Sequence, residues 1–219
     1  MPQLSLIQQI AVWAIPVLFA ITLHEASHAF VAHRLGDSTA KALGRLTLNP
    51  FKHVDLVGTI ILPLLVAVLS NFNFVFGYAK PVPVNWRQLH NPRRDAALVT
   101  IAGPLSNFIM AFLWAACFKL SIMLNPQSSN LVLFLLLMAQ AGIIINLVLA
   151  FLNLIPIPPL DGSRVVNSLL PPKYSDYYLK LEPFGFLILI LLLFTGLLGA
   201  ILVPLLKLGL NVIRAIFNL

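Results

Sequence analysis

The chain has 219 residues, 59% of them apolar and only 10% charged, with 14 basic residues against 7 acidic ones. Its mean hydropathy is +0.94. An ordinary soluble domain is roughly 25% charged, and much of any folded surface must face water. The composition therefore excludes a soluble globular enzyme, a disordered chain and a nucleic-acid binder working in water, and leaves a multi-spanning membrane protein in one domain, residues 1–219.

Charge-free stretches mark the expected spans in chain order. The first covers residues 7–32, with no Lys or Arg before Arg34. That absence speaks against a cleaved signal and for a permanent helix. A second apolar run, 56–76, contains Gly58 and Pro63 and is followed by Gly77. The third covers 96–124, with Lys119 near its far end. The fourth covers 131–157 and the fifth 184–206. At about 1.5 Å per residue through about 30 Å of hydrocarbon, all but the second are comfortable spans.

The basic residues set the expected topology. Arg34, Lys41, Arg45 and Lys52 follow the first span. Lys80, Arg87, Arg93 and Arg94 precede the third, and Arg164, Lys173 and Lys180 follow the fourth. These 11 of 14 basic residues belong on the cytoplasmic side, which puts the N-terminus outside. A spanning 56–76 run would break that pattern, so a re-entrant segment is expected there. The expected fold is an all-α polytopic membrane protein with about five transmembrane helices, a re-entrant segment and short extended cytoplasmic loops. Near the C-terminus, Lys207, Asn211, Arg214 and Asn218 form a polar stripe over residues 205–219. This reads as an amphipathic interfacial helix, the alternative being a helix folded back behind Gly196 and Gly199.

Three residues carry the chemistry. His24 and His28, four apart on one helix, project from the same face and can share a zinc ion. Glu25 lies beside them, placed to take a proton from a water and pass it to a leaving amine. This H-E-x-x-H spacing is that of zinc proteases, and ionisable residues within a span are costly unless they function. His33 reads as an interfacial histidine, and His53 and His90 as solvated loop residues. Cys117, the one cysteine, permits no intrachain disulfide and is expected as a small buried hydrophobe.

Catalytic zinc takes three protein ligands and a water. Asp161 follows the long charge-free stretch 120–160, at the end of Asn153-Leu-Ile-Pro-Ile-Pro-Pro-Leu-Asp161-Gly162. The prolines end the fourth span and predict an extended segment. Asp161 is then either the third ligand or the N-cap of a short helix over 163–170, and the pattern favours the ligand.

His24-Glu25-Ala-Ser-His28, Asn153-x-x-Pro156-x-Pro158-x-x-Asp161-Gly162 and Ala102-Gly103-Pro104-Leu-Ser-Asn107 together resemble the site-2 protease family of intramembrane zinc metalloproteases, peptidase family M50. The resemblance implies His24, His28 and Asp161 as ligands of one zinc per chain, with Glu25 as general base. It implies Asn153 near the catalytic water or the substrate backbone, and Gly103, Asn107, Pro156 and Gly162 as structural support. It implies transmembrane protein substrates, a lipid bilayer around the chain and no nucleic acid partner. Expected roles are release of membrane-tethered regulators or clearance of signal-peptide remnants. The chain resembles the small members that lack a PDZ or CBS domain, and a prokaryotic cell membrane is expected.

Asn146 reads as an interhelix hydrogen-bonding residue. The stretch 76–86, with Pro81 and Pro83, reads either as an edge offered to a substrate strand or as a plain loop. Two other functions compete: a non-catalytic relative that holds transmembrane helices, and a zinc transporter. The intact Glu25 argues against the first. The lack of acidic or His ligands in the third and fifth spans argues against the second.

Overall fold

Ser5 starts the first helix with a reciprocal capping box: its hydroxyl accepts from Gln8 N–H (3.3 Å), and the Gln8 side chain accepts from Ser5 N–H (2.9 Å). Helix α1 runs Leu6–Arg34. This is a computed structural model, and it describes residues 5–53, 55, 58, 61, 65 and 80–219. The re-entrant reading of 56–76 falls almost wholly outside them.

A short α2 (Thr39–Ala42) and a 3-10 turn at Pro50–Lys52 follow. Helix α3 (Pro92–Met123) begins with a proline, where the missing N–H costs nothing, and the Asp95 carboxylate accepts from Asn91 N–H (2.7 Å). Helix α4 (Asn130–Asn153) is capped by the Ser129 hydroxyl and stops three residues before Pro156. Helix α5 (Asp161–Leu169), α6 (Pro172–Leu179), a 3-10 turn at Glu182–Phe184, α7 (Gly185–Phe194) and α8 (Leu197–Phe217) complete the chain. No strand occurs among the described residues. Five helical runs are long and apolar enough to span: Ile7–Arg34, Pro92–Met123, Asn130–Asn153, Pro172–Phe194 and Leu197–Phe217. The protein is an all-α polytopic membrane protein.

Helices α1, α3 and α4 pack on one another and form the central unit. Ala111 and Ala115 on α3 let Ile143 and Leu147 on α4 approach closely, and Ile213 of α8 closes this cluster. Phe108 and Phe151 meet edge to face at 5.1 Å. Small residues at these contacts are what membrane packing requires, since lipid is as apolar as the side chains themselves.

At one end of the bundle the loops are tied down. The buried Asp37 carboxylate accepts from Thr39 N–H (2.8 Å) and Asn85 N–H (2.7 Å). Arg45 donates to the Pro81 carbonyl (2.9 Å), and His90 N–H donates to the Leu35 carbonyl (2.9 Å). Lys80 N–H donates to the His53 carbonyl (3.1 Å). The first two basic segments therefore meet at this end, with His53 and Lys80 side by side, and Arg164 of the third lies over the Trp86 ring (5.0 Å).

Five expectations need correction. The run 184–206 is not one span: Gly196 takes φ +78°, a left-handed conformation cheap only for glycine, and separates α7 from α8. Residues 205–219 are not a separate interfacial helix but match the alternative, a helix folded back behind Gly196. They continue α8, whose Ile213 is buried against α3 and α4 and whose end meets Lys119, the ammonium donating to the Asn218 carbonyl (2.9 Å). The polar stripe thus lies on the outer side of a packed helix. The segment after α4 is a series of turns rather than extended, with Ile157 N–H on the Ile155 carbonyl (2.8 Å) and Leu160 N–H on the Ile157 carbonyl (3.0 Å). Finally, Cys117 is exposed on α3, while His53 is buried, its Nε2 on the Thr47 carbonyl (2.9 Å).

Candidate metal centre

The i, i+4 spacing places His24 and His28 on the face of α1 that meets α3. Both are buried, at 7% and 8% exposure, with their Nε2 atoms 3.1 Å apart. Their far nitrogens are held. His24 Nδ1 lies 2.6 Å from Asn107 Oδ1, and His28 Nδ1 lies 2.7 Å from the Val99 carbonyl. Both partners are acceptors here, because the Asn107 amide nitrogen donates to the Ala20 carbonyl (3.1 Å) and to Asn146 Oδ1 (2.9 Å). Each Nδ1 therefore carries its proton and donates, which leaves each Nε2 with a free lone pair. Asn146 in turn donates to the Gly142 carbonyl (2.8 Å), so the orientation of His24 is anchored through three helices.

Asp161 is the first residue of α5. It makes no cap hydrogen bond, and its Oδ2 is buried without a hydrogen-bond partner. That oxygen lies 3.0 Å from His24 Nε2 and 3.3 Å from His28 Nε2. Two ring lone pairs and a carboxylate oxygen thus converge on one point, an arrangement that a cation resolves. Bonds of about 2.0–2.1 Å to a tetrahedral ion put ligand atoms about 3.3 Å apart, close to the separations found. The three side chains fit zinc.

Gly103 makes the approach feasible. A Cβ at this position would fall on His28 Nε2 and lie 2.7 Å from His24 Cε1. Gly162 does the same for α5, where a Cβ would fall on the Leu154 carbonyl. Pro156 sits in the turn that leads to Asp161, and its carbonyl accepts from the Tyr178 hydroxyl (2.7 Å).

Glu25 lies outside the ligand trio. It is half-buried, and its Oε2 accepts from Val82 N–H at 2.7 Å. Asn153 ends α4, and its amide donates back to the Leu149 carbonyl (3.0 Å) rather than to the trio. His33 pairs with Ser38 (3.1 Å) and Lys41 (3.4 Å), and His90 is exposed. Sequence reasoning missed three contributors: the Val99 carbonyl, Val82 N–H, and Arg164. Arg164 pairs with Glu182 (2.9 Å) and stacks over Trp86 (5.0 Å), which links α5 to the loop that holds Glu25. Two prolines around Val82 were its available signal. The Val99 carbonyl had none.

A buried two-histidine, one-aspartate set inside a bundle of spanning helices defines a membrane metalloenzyme. The chain belongs to peptidase family M50, the site-2 protease family, and is a zinc metalloprotease. The family's sequence profile matches residues 121–194. The chain is 41% identical over 211 residues to "Putative zinc metalloprotease YwhC" of Bacillus subtilis (strain 168), covering 93% of this chain and 90% of that protein. It is 32% identical over 178 residues to "Putative zinc metalloprotease Rip2" of Mycolicibacterium smegmatis, covering 81% of this chain and 64% of that one. A Rip2 of Mycobacterium tuberculosis (strain H37Rv) is 30% identical over 178 residues. No solved structure matches.

Proposed function

We propose that this protein hydrolyses peptide bonds within transmembrane segments of membrane proteins, near the cytoplasmic face. The observation that carries this reading is depth. His28 and His24 lie six and ten residues before the end of α1, about 9 and 15 Å inside it at 1.5 Å per residue. A water-soluble substrate does not reach that level, whereas a transmembrane helix does.

His24, His28 and Asp161 hold one zinc ion per chain. Zinc, when bound, supplies a Lewis acid that lowers the pKa of water and polarises a carbonyl. Glu25 is the general base. Val82 N–H orients one of its oxygens, which leaves Oε1 to take a proton from water and return it to the leaving amine. Asn153, at the mouth of α4, supports the substrate backbone. The substrate must first unwind locally, because a helix seals its carbonyls in hydrogen bonds. The shared end of the three basic segments supports a cytoplasmic site and an outside N-terminus.

The test is cleavage of a tagged single-span protein by purified protein in detergent, wild type beside Glu25→Gln. Wild-type product that a chelator abolishes, and that Glu25→Gln reduces at least about 100-fold, is the expected result. Zinc bound near one per chain, with no turnover of any single-span protein tried, would overturn it.

A further inference from the structure

A cavity of about 440 Å³ opens on the seam between α1 and α4, away from the ligand trio. Gln9, Val12 and Trp13 line it from α1, and Leu137, Gln140 and Ile144 from α4. Gln140 is the unusual member. It is the eleventh of the 24 residues of α4, so it sits near the middle of a span, and it is exposed. Its amide makes no hydrogen bond among the described residues, unlike Asn107 and Asn146, which are buried and paired. An amide facing hydrocarbon without a partner is costly. The cost is relieved when another helix brings a polar side chain to the same depth.

We propose that this seam docks the transmembrane helix of the substrate, and that Gln140 hydrogen-bonds a polar side chain (Asn, Gln, Ser or Thr) carried by that helix. The proposal rests on the protease reading and adds a recognition element to it. Continuity with the site identifies the occupant. Helix α1 carries Glu25 and both histidines farther along, the histidines turned to α3, and α4 leads through residues 154–160 to Asp161. A helix lying in the seam is guided toward the trio. A second copy docked through Gln140 would instead cover the seam.

The distance is set by the two walls. Gln9 precedes His24 by 15 residues, and Gln140 precedes Asn153 by 13. These are about 22 and 20 Å at 1.5 Å per residue. The recognised polar residue therefore lies about 13–15 residues from the scissile bond in a helical substrate. It lies nearer in sequence where the chain unwinds, since an extended residue covers about 3.3 Å.

The probe is a designed single-span Leu/Ala helix with one central Gln and a Gly-containing segment near its cytoplasmic end, beside a twin with Leu in place of the Gln. Wild type is expected to cleave the Gln probe about three- to twenty-fold faster than the twin at low substrate, through KM rather than kcat. Gln140→Leu should erase that difference. In a Cys117→Ala, Glu25→Gln background, Gln140→Cys should form a disulfide with a probe bearing Cys at the central position. Equal cleavage of both probes by wild type, with Gln140→Leu neutral, would overturn the proposal and leave the protease reading intact. A Gln140→Cys disulfide between two copies of the chain would also overturn it. A disulfide with the probe but no cleavage of either probe would sustain the docking seam and defeat the protease reading. Neither disulfide nor cleavage would defeat both.

Discussion

The unit of α1, α3 and α4 and the hairpin of α7 and α8 are both apolar, yet they are built differently. Within an apolar 18-residue stretch of each span, about a third of the residues are buried in the first three (28%, 33% and 33%), against 6% in Pro172–Phe194 and in Leu197–Phe217. The first unit also contains the paired polar groups: His24 with Asn107, Asn107 with Asn146, and His28 with the Val99 carbonyl. The hairpin meets it through a narrow seam at Leu206, Leu210, Ile213 and Phe217. The difference separates two tasks. Fixed polar geometry comes from the three-helix unit, where an unpaired group would be expensive. The hairpin closes one side of that unit with little polar commitment of its own.

Substitutions can break or sharpen this contrast. Gly103→Ala carries the largest expected effect, because its methyl falls on His28 Nε2. Zinc affinity should drop by at least about 100-fold, read as zinc retained per chain against a graded chelator. Retention of wild-type affinity would show that α1 and α3 can part freely. Asn107→Ala comes next. It leaves the His24 Nδ1 proton and Asn146 Oδ1 without their partner, and zinc affinity or turnover should fall about 10- to 100-fold. In stability, Ile213→Ala should cost about 1–3 kcal/mol in a denaturant titration in detergent. The lower part of that range follows from lipid solvating an isoleucine as well as the core does. The smallest effect belongs to Ile201→Ala on the same helix. Its side chain is 44% exposed, and the change should stay within about 0.5 kcal/mol. A large loss there would mean that the hairpin has a further packing face.

Much of this could be read from the residues. The spans of α1, α3 and α4 follow from charge-free length, because a lipid-facing backbone must be helical and carry few charges. The meeting of His24, His28 and Asp161 was legible because each ionisable group stands nearly alone in apolar sequence. Asn107 and Asn146 stand out for the same reason. What was not legible has a common physical cause. In a span, buried and lipid-facing positions are equally apolar, so periodicity tells little about which face packs, and Cys117 was placed on the wrong side. The break at Gly196 was hidden similarly, since a lone glycine is ordinary in a membrane helix and only its φ of +78° marks a turn. His53 was misjudged because its loop is basic in composition, yet it folds onto the bundle end and buries the ring.

The bond between Val82 N–H and Glu25 has a consequence for anyone mapping this site by mutagenesis. Pro81 and Pro83 have no backbone N–H, so Val82 is the one main-chain donor in that tripeptide. The flanking prolines fix which amide meets the carboxylate, and no side chain takes part. An alanine scan passes over this contact unseen, because every residue except proline keeps the donor. Glu25 can therefore depend on the amide of position 82, while the Val82 side chain is buried separately against Ala29 and Ala40.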